Sequence, residues 1–155
     1  MKGYLMQDRE WVPGEDLFIE SASPENSFGV VFEDDGDTAY FYAVERDREG
    51  AGLQVLDALH IYEGGGEEGD KGAGEEGGGE RASEVGRERA GEASKLQIVW
   101  SRDWLKCALV IDGRCHAVFD FEAHGGYNIS EFPPPNEIWT RGDRKLTGEV
   151  INRLF

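Results

Sequence analysis

Leu105-Lys106-Cys107-Ala108-Leu109-Val110-Ile111-Asp112-Gly113-Arg114-Cys115-His116-Ala117-Val118-Phe119-Asp120-Phe121 decides the fold. An Asp-Gly pair between two runs of apolar and β-branched residues is the signature of a two-residue hairpin turn, whose central positions need positive φ. Such a turn sets Ile111 opposite Arg114, Leu109 opposite His116 and Cys107 opposite Val118. The other face then carries Ala108, Val110, Cys115, Ala117, Phe119 and Phe121. Both faces are largely apolar, so the hairpin is expected in the middle of the fold, covered on both sides. Alternation along strands puts Cys107 and Cys115 on opposite faces, which rules out a disulfide within the hairpin. Two unpaired thiols fit a reducing compartment.

Outward from this hairpin the chain continues to read as strands. Ser27 to Phe32 and Thr38 to Val44 flank Glu33-Asp34-Asp35-Gly36-Asp37, a second Asp-Gly turn. Leu53 to Tyr62 is a third strand, with Leu53, Val55, Leu59 and Ile61 on one face and a short helix as its competitor. Leu96 to Ser101 is a fourth. After Phe121 the chain is irregular through Gly125-Gly126 and Pro133-Pro134-Pro135. It ends in a helical pattern, with Leu146, Val150, Ile151 and Leu154 near one face. Thr140 with Asp143 resembles an N-terminal cap, against which Gly142 and Gly148 weigh. The expected architecture is α+β: a mostly antiparallel β-sheet meander covered on one face by a C-terminal helix.

One stretch departs from this pattern. Residues 63–94 read EGGGEEGDKGAGEEGGGERASEVGRERAGEAS, with 11 of the chain's 22 glycines, ten acidic and four basic residues, and Val85 as the sole large apolar side chain. So little apolar surface cannot offset the entropy of ordering, roughly 1–2 kcal/mol per backbone residue. The stretch is expected to be a disordered Gly/Glu-rich loop inserted between two strands of a single domain spanning 1–155. Its tail from Glu80 to Ala93 is polar enough for a frayed helix. An acidic tether for a basic partner is its functional reading; a tolerated low-complexity insertion weighs more, because added loop length costs only about 0.6 kcal/mol per doubling.

The chain has 155 residues and a formal charge of −16, from 32 acidic and 16 basic side chains. The 123 residues outside the loop still carry 22 acidic and 12 basic residues, so the folded part is itself acidic. That sign argues against nucleic acid and against an anionic membrane surface, both of which need clustered cations. Apolar runs such as Cys107 to Ile111 are far short of the roughly 20 residues that span a bilayer. Met1 to Asp8 has no apolar signal core. A cytoplasmic protein is expected.

No cofactor motif stands out. There is no phosphate loop, no Cys-x-x-Cys and no His-Glu-x-x-His. The acidic run from Glu33 to Asp37 is like a calcium loop in composition only: counted from Glu33, the twelfth position is Val44 rather than Glu, and the flanks are strand-like, so a turn with solvated carboxylates fits better. His116, Asp120 and His124 are spaced by four, but His116 and Asp120 on one strand face lie about 13 Å apart, too far for one metal. A mononuclear metal or acid–base site would instead use His60, Asp120 and His124. Strand-borne polar residues and a loop histidine are the commoner explanation. Both cysteines read as small core residues, Ser101 as a turn residue, and Pro133-Pro134-Pro135 as a stiff connector. The aromatic residues Tyr40, Phe41, Tyr42, Trp100, Trp104, Tyr127, Phe132 and Trp139 are many for a small core. Those near loops, Trp104, Tyr127, Phe132 and Trp139, are the candidate partner contacts.

Phe32-Glu33-Asp34-Asp35-Gly36 with Tyr40-Phe41-Tyr42-Ala43, then Leu56-Asp57-Ala58-Leu59-His60-Ile61-Tyr62, Val99-Trp100-Ser101, Ala117-Val118-Phe119-Asp120-Phe121 and Phe132-Pro133-Pro134-Pro135 together resemble a family of small bacterial proteins of unknown function. The resemblance covers most of 28–62 and 95–139. It implies one compact domain in a bacterial cytosol and brings no reaction to carry over.

Three functions follow from these residues. The leading one is a non-enzymatic, acidic protein-binding domain of immunity or antitoxin type, which docks a basic protein. The alternative is a small enzyme or metal-binding protein using His60, Asp120 and His124. A ligand-sensing domain built on the Trp104 and Tyr127 loops is a third.

Overall fold

The computed structural model describes residues 2–47, 52–63 and 92–155. Among the described residues nine strands are followed by one short helix: β1 (Tyr4–Trp11), β2 (Leu17–Ala22), β3 (Phe28–Asp34), β4 (Thr38–Arg46), β5 (Leu53–Glu63), β6 (Ser94–Trp100), β7 (Lys106–Ile111), β8 (Arg114–Asp120), β9 (Gly125–Asn128) and α1 (Gly148–Leu154). They form two antiparallel sheets, ordered β1-β6-β7-β8-β9 and β2-β3-β4-β5. The α+β expectation holds, with sheet as the main component. The single meander is corrected to two sheets, because the chain changes sheet after β1 and again between β5 and β6. Leu53 to Glu63 is a strand, not the competing helix. Most of the expected inserted loop, 64–91, lies outside the described residues.

The core lies between the sheets. Val30, Phe32, Phe41 and Leu59 from the second sheet meet Ile98, Trp100, Leu109 and Phe119 from the first, each fully buried. Trp11 is also buried here, with its indole N–H donating to Asp34 Oδ2 at 2.9 Å. Asp34 further accepts from the Gly14 and Gly36 amides. The acidic turn is thus a turn, as expected, but Asp34 is buried rather than solvated, because it ties the β1–β2 connection to the β3–β4 turn.

The central hairpin forms around Asp112 (φ 52°) and Gly113 (φ 83°), as its residues demand. Its register differs from the simple expectation. Ile111 pairs with Arg114 and Val110 with Cys115, but Leu109 then pairs with Ala117 and Cys107 with Phe119. His116 is the extra residue of a bulge. The slip moves Ala117, Phe119 and Phe121 onto the face that holds Cys107, Leu109 and Ile111, where all six enter the main core. Cys107 and Cys115 still lie on opposite faces and are both free thiols.

The helix covers the outer face of the first sheet. Leu154, buried, and Val150, Leu146 and Phe155, half-buried, pack there against Ala108, Val118, Cys115 and Tyr127, a cluster that Ile151 does not join. Its N-cap is Thr147, whose hydroxyl accepts from the Val150 amide at 3.1 Å. Thr140 and Asp143 are therefore not the cap: Thr140 is buried and donates to Asp57, and Asp143 accepts from the Lys145 amide. No corresponding helix among the described residues covers the outer face of the second sheet. Nor is any helix among them long and apolar enough to cross a membrane.

Candidate functional site

Alternation along β2 to β5 decides what that outer face presents. Cross-strand pairing puts Phe18 opposite Glu33, Glu33 opposite Tyr40, and Tyr40 opposite His60. A second row runs Glu20, Val31, Tyr42, Ala58. Directly paired residues stand about 5 Å apart, so each row is a continuous strip of side chains. Phe132 extends the first row: its carbonyl accepts from the His60 amide at 2.9 Å and its ring meets the imidazole edge-on at 5.9 Å. Tyr40 meets the same imidazole 5.3 Å away and nearly perpendicular. Tyr40 and Tyr42, two apart on one strand, turn their rings the same way, with centroids 5.9 Å apart and planes at 20°.

The result is an aromatic strip with exposed ends. Phe18 is 60% exposed and Phe132 48%, with Val55 at 58% on the same sheet. A bulge at Leu56, where Ala43 pairs with Asp57 but Val44 with Val55, explains why Val55 and Leu53 are exposed instead of sharing the buried face of Leu59 and Ile61.

Carboxylates surround the strip. Burial, and secondarily the nearby Glu63, raises the Tyr40 hydroxyl above its ordinary pKa; Tyr42 is raised by burial, Glu33, Tyr40 and Asp35. Both phenols stay neutral at physiological pH. Backbone amides of Thr38 and Asp37 hold Asp35 below the usual carboxylate range, so it stays charged. Glu20 is neutralised in part by Arg46, 3.6 Å away.

A buried ion pair braces one edge of this face from within. Arg144 Nη2 and Nη1 each reach one oxygen of Asp57 at 2.9 Å, and the two residues are 1% and 3% exposed at their side chains. Thr140 Oγ1 and the Ala58 amide also donate to Asp57. The remaining guanidinium hydrogens go to the carbonyls of Pro133, Pro134 and Gly126. Pro133 to Pro135 thus serve as the expected connector, held against β5 so that Phe132 stands beside His60. Neither Asp57 nor Arg144 was distinguishable in sequence: one looks like a polar strand residue, the other like a loop cation.

The structure does not gather the residues of the alternative site. His60 lies beneath Tyr40 and Phe132; Asp120 accepts from the Glu122 and Ala123 amides of its own turn; His124 stacks on Trp139 at 5.1 Å. Among the described residues no three His, Cys, Asp or Glu side chains are placed to hold a metal. The four candidate contacts also separate. Trp139 is buried against Phe119 and Phe121; Trp104 stacks on Tyr4 at 4.9 Å; Tyr127 packs beneath the helix. Tyr127 and Trp139 line an open cleft of about 290 Å³ with His124, Thr140, Arg141 and Asp143. Of the four, Phe132 alone joins the aromatic strip. Sequence reasoning missed Phe18, whose strand it did not see, and left Tyr40 and Tyr42 to the core; the alternation Tyr40-Phe41-Tyr42 was the available signal, since one face of it had to look outward.

Residues 11–74 and 81–155 match the model of a family described as an uncharacterized protein conserved in bacteria, DUF2251. The chain belongs to this family. An uncharacterized protein of Haemophilus influenzae is 35% identical over 116 residues, covering 74% of this chain and 58% of that relative. The chain therefore spans less than two thirds of the relative it matches. No solved structure matches it. The family match includes all four strands of the aromatic face and the segment carrying Phe132.

Proposed function

We propose that this DUF2251 protein is a non-enzymatic binding domain that docks a basic protein partner on the outer face of its second sheet, as an immunity or antitoxin-type inhibitor does. The observation that carries the reading is the open aromatic strip Phe18–Tyr40–Tyr42–Phe132 set among Glu33, Asp35 and Glu63, on a sheet whose counterpart is covered by a helix. Aromatic anchors inside a charged rim are the composition of protein interfaces. The charge of −16 adds long-range attraction for a basic partner and makes association fall as salt rises.

The test is affinity capture from native lysate at low and high salt, run in parallel with the wild-type chain and a Phe18→Thr/Phe132→Ser variant. A stoichiometric basic protein, held at low salt by the wild type and lost with the variant, is the expected result. Empty capture at every ionic strength, or a partner that the variant retains in full, contradicts the proposal.

A further inference from the structure

We infer that Tyr40, Tyr42 and Glu33 form a receptor for an arginine side chain of the docked partner; this rests on the docking reading above and names the group recognised.

Three observations converge on it. The two phenol rings face the same way with centroids 5.9 Å apart, so a planar cation laid over either ring falls within the roughly 6 Å reach of cation–π attraction. Glu33 stands directly across β3 and β4 from Tyr40, and its charge is felt at the Tyr42 hydroxyl. The Glu33 side chain is half-buried yet has no hydrogen bond or ion pair among the described residues, in contrast to Glu20 on the same face, which is paired with Arg46. A carboxylate partly withdrawn from water, next to two aromatic rings and without a cation, is half of a recognition site.

The geometry selects guanidinium over ammonium. A guanidinium is planar, stacks on an aromatic face and still offers an N–H fork to a carboxylate; an ammonium is compact and more strongly hydrated. A second copy of the chain does not suit this face, because it would bring the same carboxylates against one another and carries the same −16 charge. The occupant is therefore a basic segment of another protein, with an arginine at its centre and apolar side chains on Phe18 and Phe132 at either end.

The probe is a hexa-arginine peptide, with hexa-lysine as the charge-matched control, titrated at low ionic strength while the tyrosine ring resonances are followed by NMR. Arginine is expected to bind about three- to tenfold more tightly than lysine and to shift the rings of Tyr40 and Tyr42. Glu33→Gln should weaken arginine binding about tenfold and abolish most of the preference. Tyr42→Phe, which keeps the ring and the fold, should leave binding nearly unchanged, and Tyr42→Thr should weaken it about three- to fivefold. Equal affinities for the two peptides, or arginine binding indifferent to Glu33→Gln and Tyr42→Thr, would overturn the inference. Such a failure would be distinct from failure of the docking reading, which is judged by partner capture with the Phe18→Thr/Phe132→Ser variant.

Discussion

Gly126 occupies a position where a single methyl group has no room. A Cβ there would lie 2.9 Å from the Phe119 ring, 3.0 Å from Asp57 Oδ2 and 3.1 Å from Arg144 Nη1. The crowding exists because the Asp57–Arg144 pair is buried against the backbone, where its charges are satisfied by each other, by the Thr140 hydroxyl and by fixed backbone amides and carbonyls. Removing one partner leaves the other charged and desolvated. Asp57→Ala is accordingly expected to lower stability by about 3–5 kcal/mol, read by urea unfolding; a loss below about 1 kcal/mol would show that the pair is not the brace described here. His116 gives a second residue-scale prediction. Burial, with Arg114 nearby, pushes its imidazole from 6.5 down to about 4. The folded protein keeps it neutral while the unfolded chain takes up a proton, so its contribution is complete above pH 6.5 and is lost as pH falls toward 4. The full swing is about 3 kcal/mol. Unfolding measured at pH 7 and pH 4.5 should show a smaller acid loss in His116→Gln than in the wild type; equal losses would contradict the assignment.

The helix and the hairpins show how local chemistry and tertiary context divide the work. Thr147 caps α1 through its hydroxyl, and Thr147→Ala is expected to reduce stability by about 1 kcal/mol without altering the sheets, checked by thermal unfolding and circular dichroism. The stripe of Leu146, Val150 and Leu154 was legible because it recurs at helical spacing, but the cap was misread: Thr140 had a cap's chemistry, and a buried carboxylate claimed it. Both Asp-Gly hairpins were legible because two adjacent residues determine them. β1 was not, since most of its eight residues are exposed and it has no apolar alternation to read. β2 was missed with it, and with β2 went Phe18. The bulge at His116 left no local mark either; it is forced by which face of β8 must meet the opposing sheet. The aromatic residues of the candidate site were visible as a surplus, but which of them look outward depends on strand register and on how the two sheets face each other.

At the scale of the whole molecule, the two sheets share one core and differ in what covers their outer faces. The first carries α1; the second carries the exposed Phe18, the paired tyrosines and the Glu33 carboxylate, with Phe132 at its edge. A net charge of −16 opposes self-association and, on the docking reading proposed above, attracts a partner of opposite sign. Other exposed apolar side chains, Tyr4, Leu5 and Met6, stand at the start of β1 on the other sheet and provide an internal comparison. The most direct measurement is hydroxyl-radical footprinting of the protein alone and with its captured basic partner, read by mass spectrometry at each side chain. Docking on the second sheet predicts that Phe18, Tyr40, Tyr42 and Phe132 become protected while Tyr4, Leu5 and Met6 react as before. Protection at Tyr4 to Met6 or along α1, with the four aromatic residues unchanged, would contradict it.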